Sequence, residues 1–159
     1  MQLCDKLNEK NIFFPLESNN RLDAIEKLLN HLKNNGFLMA TEKLFKQIEE
    51  HEQIFTSAAG RGVVYPHATS YEIDELVCIL GISMNGINFH SPDNQLCHII
   101  LLTLSPKEKP VDHRKFITRF RTMIKNPDIR SGLLDITQSR DAIDILHQWD
   151  IDQSKNDVL

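Results

Sequence analysis

The chain has 159 residues, 41% hydrophobic and 25% charged, enough for one globular domain with a sizeable core and too few for two ordinary ones. Its formal charge is −4 and no Lys/Arg block gathers positive charge, so nucleic-acid binding is not expected. Cys4, Cys78 and Cys97 form no CxxC pair and are too few for a disulfide framework.

The N-terminus, MQLCDKLNEKNIFF, carries charges where a signal peptide would be apolar. The strongest apolar run, Ile99 to Leu102, is far too short to span a bilayer. A cytoplasmic protein with free thiols and no membrane insertion is expected.

Apolar groups at Leu22, Ile25, Leu28, Leu29 and Leu32 predict a helix over 19–34, capped by Ser18 or Asn19 and stopped at Gly36. A second helix is predicted from Thr41 to Glu52, with Leu44, Phe45 and Ile48 inward. His51 lies on or beside that inward stripe, and spacing alone makes it a half-buried helix-end histidine. After Phe55 the stretch TSAAGRGVVYPHATS turns small and then β-branched. Val63–Tyr65 predicts a strand that Pro66 stops.

Leu76–Ile82 predicts a second strand, Asn85-Gly86 a hairpin turn, and Ile87–Phe89 a short strand after it. Ser91-Pro92-Asp93-Asn94 is a turn. Leu96–Leu104 is apolar apart from His98 and Thr103, as in a strand covered on both faces. Phe116, Ile117, Phe120, Met123 and Ile124 form a helical stripe, which His113 extends into the first turn. Asn126-Pro127 opens a short helix ending near Gly132. Ser139 caps the last helix, with Ala142, Ile143, Leu146 and Trp149 inward.

Residues 150–159 read as a frayed polar tail, leaving 1–149 as the domain. Central strands with helices at both ends imply an α/β single-domain sandwich: a mixed sheet of about five strands flanked by helices.

Seven histidines are the chemical feature of this sequence. His67 follows one predicted strand, and His113 opens the helix after another. Active groups of α/β sheets collect beyond the carboxyl ends of strands. Parallel strands would bring these two imidazoles to one edge. Gly60 and Gly62 allow backbone N–H groups to approach an anion, and Arg61 between them offers a cation. The set suits a phosphoryl group, with histidine as nucleophile. Zinc is the rival use of the same residues. No HxxxH, HExxH or CxxC spacing exists, so no metal or cofactor is expected. His31, His90, His98 and His147 are treated as surface or structural residues.

Gly60-Arg61-Gly62-Val63-Val64-Tyr65-Pro66-His67 resembles the Gly-x-Gly-(apolar)3-Pro-His signature of fructose/mannitol-type enzyme IIA domains. These belong to the bacterial phosphoenolpyruvate-dependent phosphotransferase system, and the nitrogen-related enzyme IIA branch is the nearest in pattern. INFHSPDNQ, the apolar stretch Cys97–Pro106 and His113, 46 residues after His67, continue the likeness. It covers about residues 1–149.

The resemblance implies that His67 accepts a phosphoryl group from an HPr-like carrier. His67 then passes it to an enzyme IIB, or acts as a phosphorylation-dependent regulator of a target protein. His113 would orient the phosphoryl group. The family usually has an arginine sixteen residues before the active histidine, where this chain has His51. It usually has asparagine where this chain has Arg61. Arg61 is thus the candidate to restore the charge His51 lacks at neutral pH. The alternative is a decayed site in a regulatory interaction module that is never phosphorylated. Phe55 and Tyr65 are candidate apolar partner contacts.

Overall fold

The computed structural model describes residues 1–157. Two 3-10 turns, Leu3–Asp5 and Glu9–Asn11, lead into a short strand β1, Ile12–Phe13. Helix α1, Arg21–Asn34, is capped by Asn20, whose side chain accepts the Asp23 N–H at 2.8 Å. Helix α2 is Glu42–Ile54. Strands β2 (Ala58–Gly60), β3 (Val63–Val64), β4 (His67–Ser70), β5 (Val77–Ile87) and β6 (Cys97–Pro106) follow. Helices α3 (Pro110–Ile124), α4 (Pro127–Leu133) and α5 (Ser139–Asp157) end the chain. Asn126 caps α4 through the Asp128 N–H, with Pro127 in the first turn, as the dipeptide predicts.

The sheet has six strands in the order β1-β5-β6-β3-β2, with β4 also on β6. β5 pairs antiparallel to β6, whereas β3 and β4 pair parallel to it. β3 and β4 are one strand interrupted at Tyr65-Pro66. Pro66 does not end the strand, because its carbonyl still accepts the Thr103 N–H at 3.0 Å and pairing resumes at His67. The mixed α/β sandwich expected from the pattern is therefore the observed architecture.

Alternation along β6 splits the core in two. Ile99 and Leu101 face a cluster with Phe116 and Phe120 of α3 and Leu146 of α5. Ile100, Leu102 and Leu104 face a cluster with Leu28 and Leu32 of α1 and Ile48 of α2. Thr103 is on the α3 side by the same alternation.

Two further expectations are corrected. Asn85-Gly86 is not a hairpin turn: β5 runs through it as a bulge, with a register shift against β6 between Ile82 and Ile87. The reversal lies further on, where the Asn94 N–H reaches the Ser91 carbonyl at 2.9 Å. Gly86 has φ +80°, and a Cβ there would stand 2.7 Å from the Leu96 Cβ. A bulge and a type I′ turn both favour glycine at positive φ, so the dipeptide reads the same for either.

The second correction is the tail: residues 150–157 continue α5 instead of fraying. Asp150 is 1% exposed and accepts the Leu3 N–H at 3.2 Å, the Cys4 N–H at 3.1 Å and the Arg119 Nε–H at 3.0 Å. That buried carboxylate ties the chain's two ends to α3. No helix among the described residues is long and apolar enough to cross a membrane. The three cysteines are free.

Candidate functional site

His67 is the first residue of β4, on the sheet's α3 side by alternation with Val63 and Tyr65. Its Cα partner on β6 is Thr103. His113, in the first turn of α3, reaches back to the same threonine, with Nε2 2.9 Å from Thr103 Oγ1. The parallel pairing of β4 and β6 thus brings His67 and His113 together, their ring centroids 6.2 Å apart. From the other side the last turns of α2 bring in His51, its ring centroid 5.8 Å from that of His67. His67 and His51 are exposed, and His113 is half-buried.

His67 Nδ1 is 3.1 Å from the Tyr65 carbonyl oxygen. A carbonyl only accepts, so Nδ1 carries the proton in that bond and Nε2 keeps a lone pair in the neutral ring. On His113 the Thr103 contact occupies Nε2 and leaves Nδ1 for a ligand. Burial first, then His67 and the Arg121 guanidinium, hold His113 below the usual histidine value, so it is neutral near pH 7.

Arg121 lies two helical turns beyond His113, its guanidinium 4.9 Å from the Tyr65 ring centroid. Tyr65 is 5% exposed and packs edge-on against Phe120, so it belongs to the core and not to a partner surface. Phe55 is 78% exposed and Ile54 70%. Both wall a cleft of about 400 Å³ that runs from Ile48 to His67.

Gly60, Arg61 and Gly62 are not at this site. They form the turn between β2 and β3, where Arg61 N–H donates to Asp93 Oδ2 at 2.9 Å and Gly62 O accepts the His98 N–H at 2.8 Å. His98 and Thr103 are five residues apart on β6, roughly 16 Å at about 3.3 Å per residue. The glycines serve backbone geometry, with φ +84° at Gly60 and +77° at Gly62. The proposed exchange of arginine position is therefore corrected: the Arg61 backbone is anchored far from His67, and Arg121 of α3 is the arginine whose charge reaches His113.

The remaining histidines find other roles. His98 Nδ1 bonds the Ser83 carbonyl at 2.8 Å, the partner an interrupted buried strand demands. His31 Nε2 bonds the Lys10 carbonyl at 2.8 Å, and His90 and His147 are exposed. Among the described residues no three His, Cys, Asp or Glu side chains gather as metal ligands. Sequence reading missed Arg121 and the pairing of buried Glu52 with half-buried Ser57. Thr103 carried a visible signal as a polar break in an apolar strand.

Comparison with known proteins bears on this geometry. The model of the phosphoenolpyruvate-dependent sugar phosphotransferase system EIIA 2 family matches residues 5–149. The nitrogen regulatory protein of Bradyrhizobium diazoefficiens is 26% identical over 143 residues, 89% of this chain and 90% of that protein. The fructose-specific EIIABC component of Bacillus subtilis is 23% identical over 150 residues, 94% of this chain but only 24% of that protein.

The crystal structure of the nitrogen regulatory protein IIA-Ntr from Neisseria meningitidis superposes with TM-score 0.81 at 18% identity, covering 89% of this chain and 97% of that one. Enzyme IIA mannitol from Escherichia coli superposes with TM-score 0.75 at 16% identity, covering 89% of this chain and 99% of that one. With the family model spanning nearly all of its length and the fold shared across these structures, this chain belongs to the EIIA 2 family of the sugar phosphotransferase system.

Proposed function

We propose that the protein is a phosphohistidine carrier whose acceptor atom is His67 Nε2. The observation that carries this is the tether of Nδ1 to the Tyr65 carbonyl, which leaves one lone pair on an exposed ring between two imidazoles. In the step, the Nε2 lone pair forms a bond to phosphorus as the P–N bond of a donor phosphohistidine breaks. The electron pair returns to the donor's imidazole, and the proton stays on His67 Nδ1, hydrogen-bonded to the Tyr65 carbonyl. Phosphoryl transfer needs alignment and charge neutralisation more than covalent help. His113 Nδ1, which the Thr103 contact leaves free, and the Arg121 charge would supply part of both.

The donor is an HPr-like carrier, and the acceptor is an enzyme IIB or a target protein that reads the phosphorylation state. A related structure contains enzyme IIA mannitol with phosphorylated enzyme IIB mannitol. Such carriers work in the cytoplasm, in keeping with three free thiols. Exposed Ile54 and Phe55 beside His67 offer the partner an apolar contact.

The test is incubation with phosphoenolpyruvate, enzyme I and the HPr-like carrier. Acid-labile phosphate on the wild type, absent from His67→Ala, supports the proposal. No label with carriers shown to be active overturns it. A second reading, an unphosphorylated interaction module, rests on the resemblance: His51 stands where the enzyme IIA pattern usually has an arginine. Partner binding indifferent to His67 substitution would favour that module.

A further inference from the structure

Glu52 is 4% exposed, and among the described residues no Lys or Arg side chain pairs with its carboxylate. Arg21 Nη1, 3.2 Å away, donates to the Glu52 backbone carbonyl and not to the side chain. Burying a carboxylate without a cation is expensive, and an apolar residue would end α2 at less cost.

What the carboxylate holds is Ser57. The Ser57 hydroxyl donates to Glu52 Oε1, and its N–H points to Oε2 at 3.5 Å. The Ser57 carbonyl in turn accepts the Tyr65 N–H at 3.1 Å. The Tyr65 carbonyl accepts His67 Nδ1–H at 3.1 Å. Glu52 and Ser57 also line the cleft that touches His51 and His67. Four residues thus form one continuous path of hydrogen bonds and backbone from the end of α2 to the imidazole.

We propose that Glu52 and Ser57 are positioning residues that fix the Tyr65 backbone, hold His67 in its Nδ1–H tautomer, and so direct phosphorylation to Nε2. The link to phosphorylation rests on the phosphocarrier reading above. The link to the tautomer does not. A carboxylate that only closed the end of α2 would affect stability and leave the tautomer alone. A free imidazole prefers the opposite tautomer, with the proton on Nε2, so a loosened Tyr65 carbonyl has a directional signature.

The experiment is long-range ¹H–¹⁵N NMR of the His67 ring in the full unphosphorylated chain, at about pH 8 where histidine is neutral. In Ser57→Ala and Glu52→Leu the ratio of Nδ1–H to Nε2–H should fall on the order of threefold to tenfold, the worth of roughly one net hydrogen bond. Glu52→Gln keeps an oxygen for the Ser57 hydroxyl and should hold the ratio within about twofold. An unchanged ratio in Ser57→Ala overturns the proposal. So does a loss in Glu52→Gln as large as in Glu52→Leu. Ser57 is half-buried, so Ser57→Ala decides the matter if Glu52→Leu does not fold. Wild-type protein that takes no phosphate would overturn the carrier reading and leave the tautomer result standing.

Discussion

His67 and His113 meet across Thr103: the threonine is the β-ladder partner of one and the hydrogen-bond partner of the other, and the rings lie 6.2 Å apart. A phosphoryl group on His67 would place negative charge beside an imidazole that burial and its neighbours now hold neutral. An opposite charge favours the charged form, so phosphorylation should raise the His113 pKa. NMR titration of both states checks it. An equal or lower value after phosphorylation would separate His113 from the phosphoryl group. Arg121→Gln removes a repelling charge and should also raise it.

The same depression fixes a stability trend. His113 lies below its ordinary value of 6.5 in the folded protein, so unfolding takes up a proton at mildly acidic pH. Its contribution is fully present above that value and is lost as pH falls toward the depressed one. His113→Gln should flatten the fall in Tm between about pH 7 and about pH 5. A parallel curve for variant and wild type would contradict this.

Arg61 should be dispensable for the chemistry. Its backbone is fixed on Asp93 at the end of β3 away from His67, so Arg61→Ala should leave the rate of His67 labelling within about twofold. Its φ of +58° is a left-handed conformation that costs a side chain about 1 kcal/mol. Arg61→Gly should therefore stabilise the fold by about that much in urea unfolding while labelling stays unchanged.

The layers and the His67–His113 pair were legible because both depend on periodicity and order. A helix stripe, an apolar strand and a histidine at each junction survive errors of one or two residues at element ends. What failed depended on three-dimensional approach. Gly86 signals positive φ, but only the nearness of Leu96 and His98 makes it a bulge. Arg61 looked close to His67 in sequence, yet an extended strand carries six residues roughly 20 Å. Asp150 looked like tail polarity because its partners, Leu3, Cys4 and Arg119, are distant in the chain.

Asp150 should prove one of the more costly positions to alter. Its carboxylate satisfies two backbone N–H groups and Arg119, with Arg119 Nη2 at 3.0 Å and little of either side chain exposed. Removing one partner of a buried pair costs about 3 kcal/mol or more. Asp150→Ala should lower Tm by roughly 6 °C or more for a domain of this size. Deleting the residues after Trp149 should do at least as much. Stability retained in both variants would show that the final turns of α5 are dispensable.

His51 offers the clearest test of how the site handles charge. Its ring centroid lies 5.8 Å from that of His67, at a position where the enzyme IIA pattern this chain resembles usually has an arginine. A guanidinium stays charged at every accessible pH, whereas an imidazole does not. A developing dianion beside a neutral imidazole gains hydrogen bonding but no Coulombic attraction. His51→Arg puts a permanent charge there and should speed His67 labelling about tenfold at a fixed pH, the worth of one well-placed charge-assisted hydrogen bond. The substituted side chain lies on the exposed last turns of α2, so the fold should tolerate it. If His51→Arg labels at the wild-type rate, a cation on α2 makes no contribution in this protein, and Arg121 with His113 suffices.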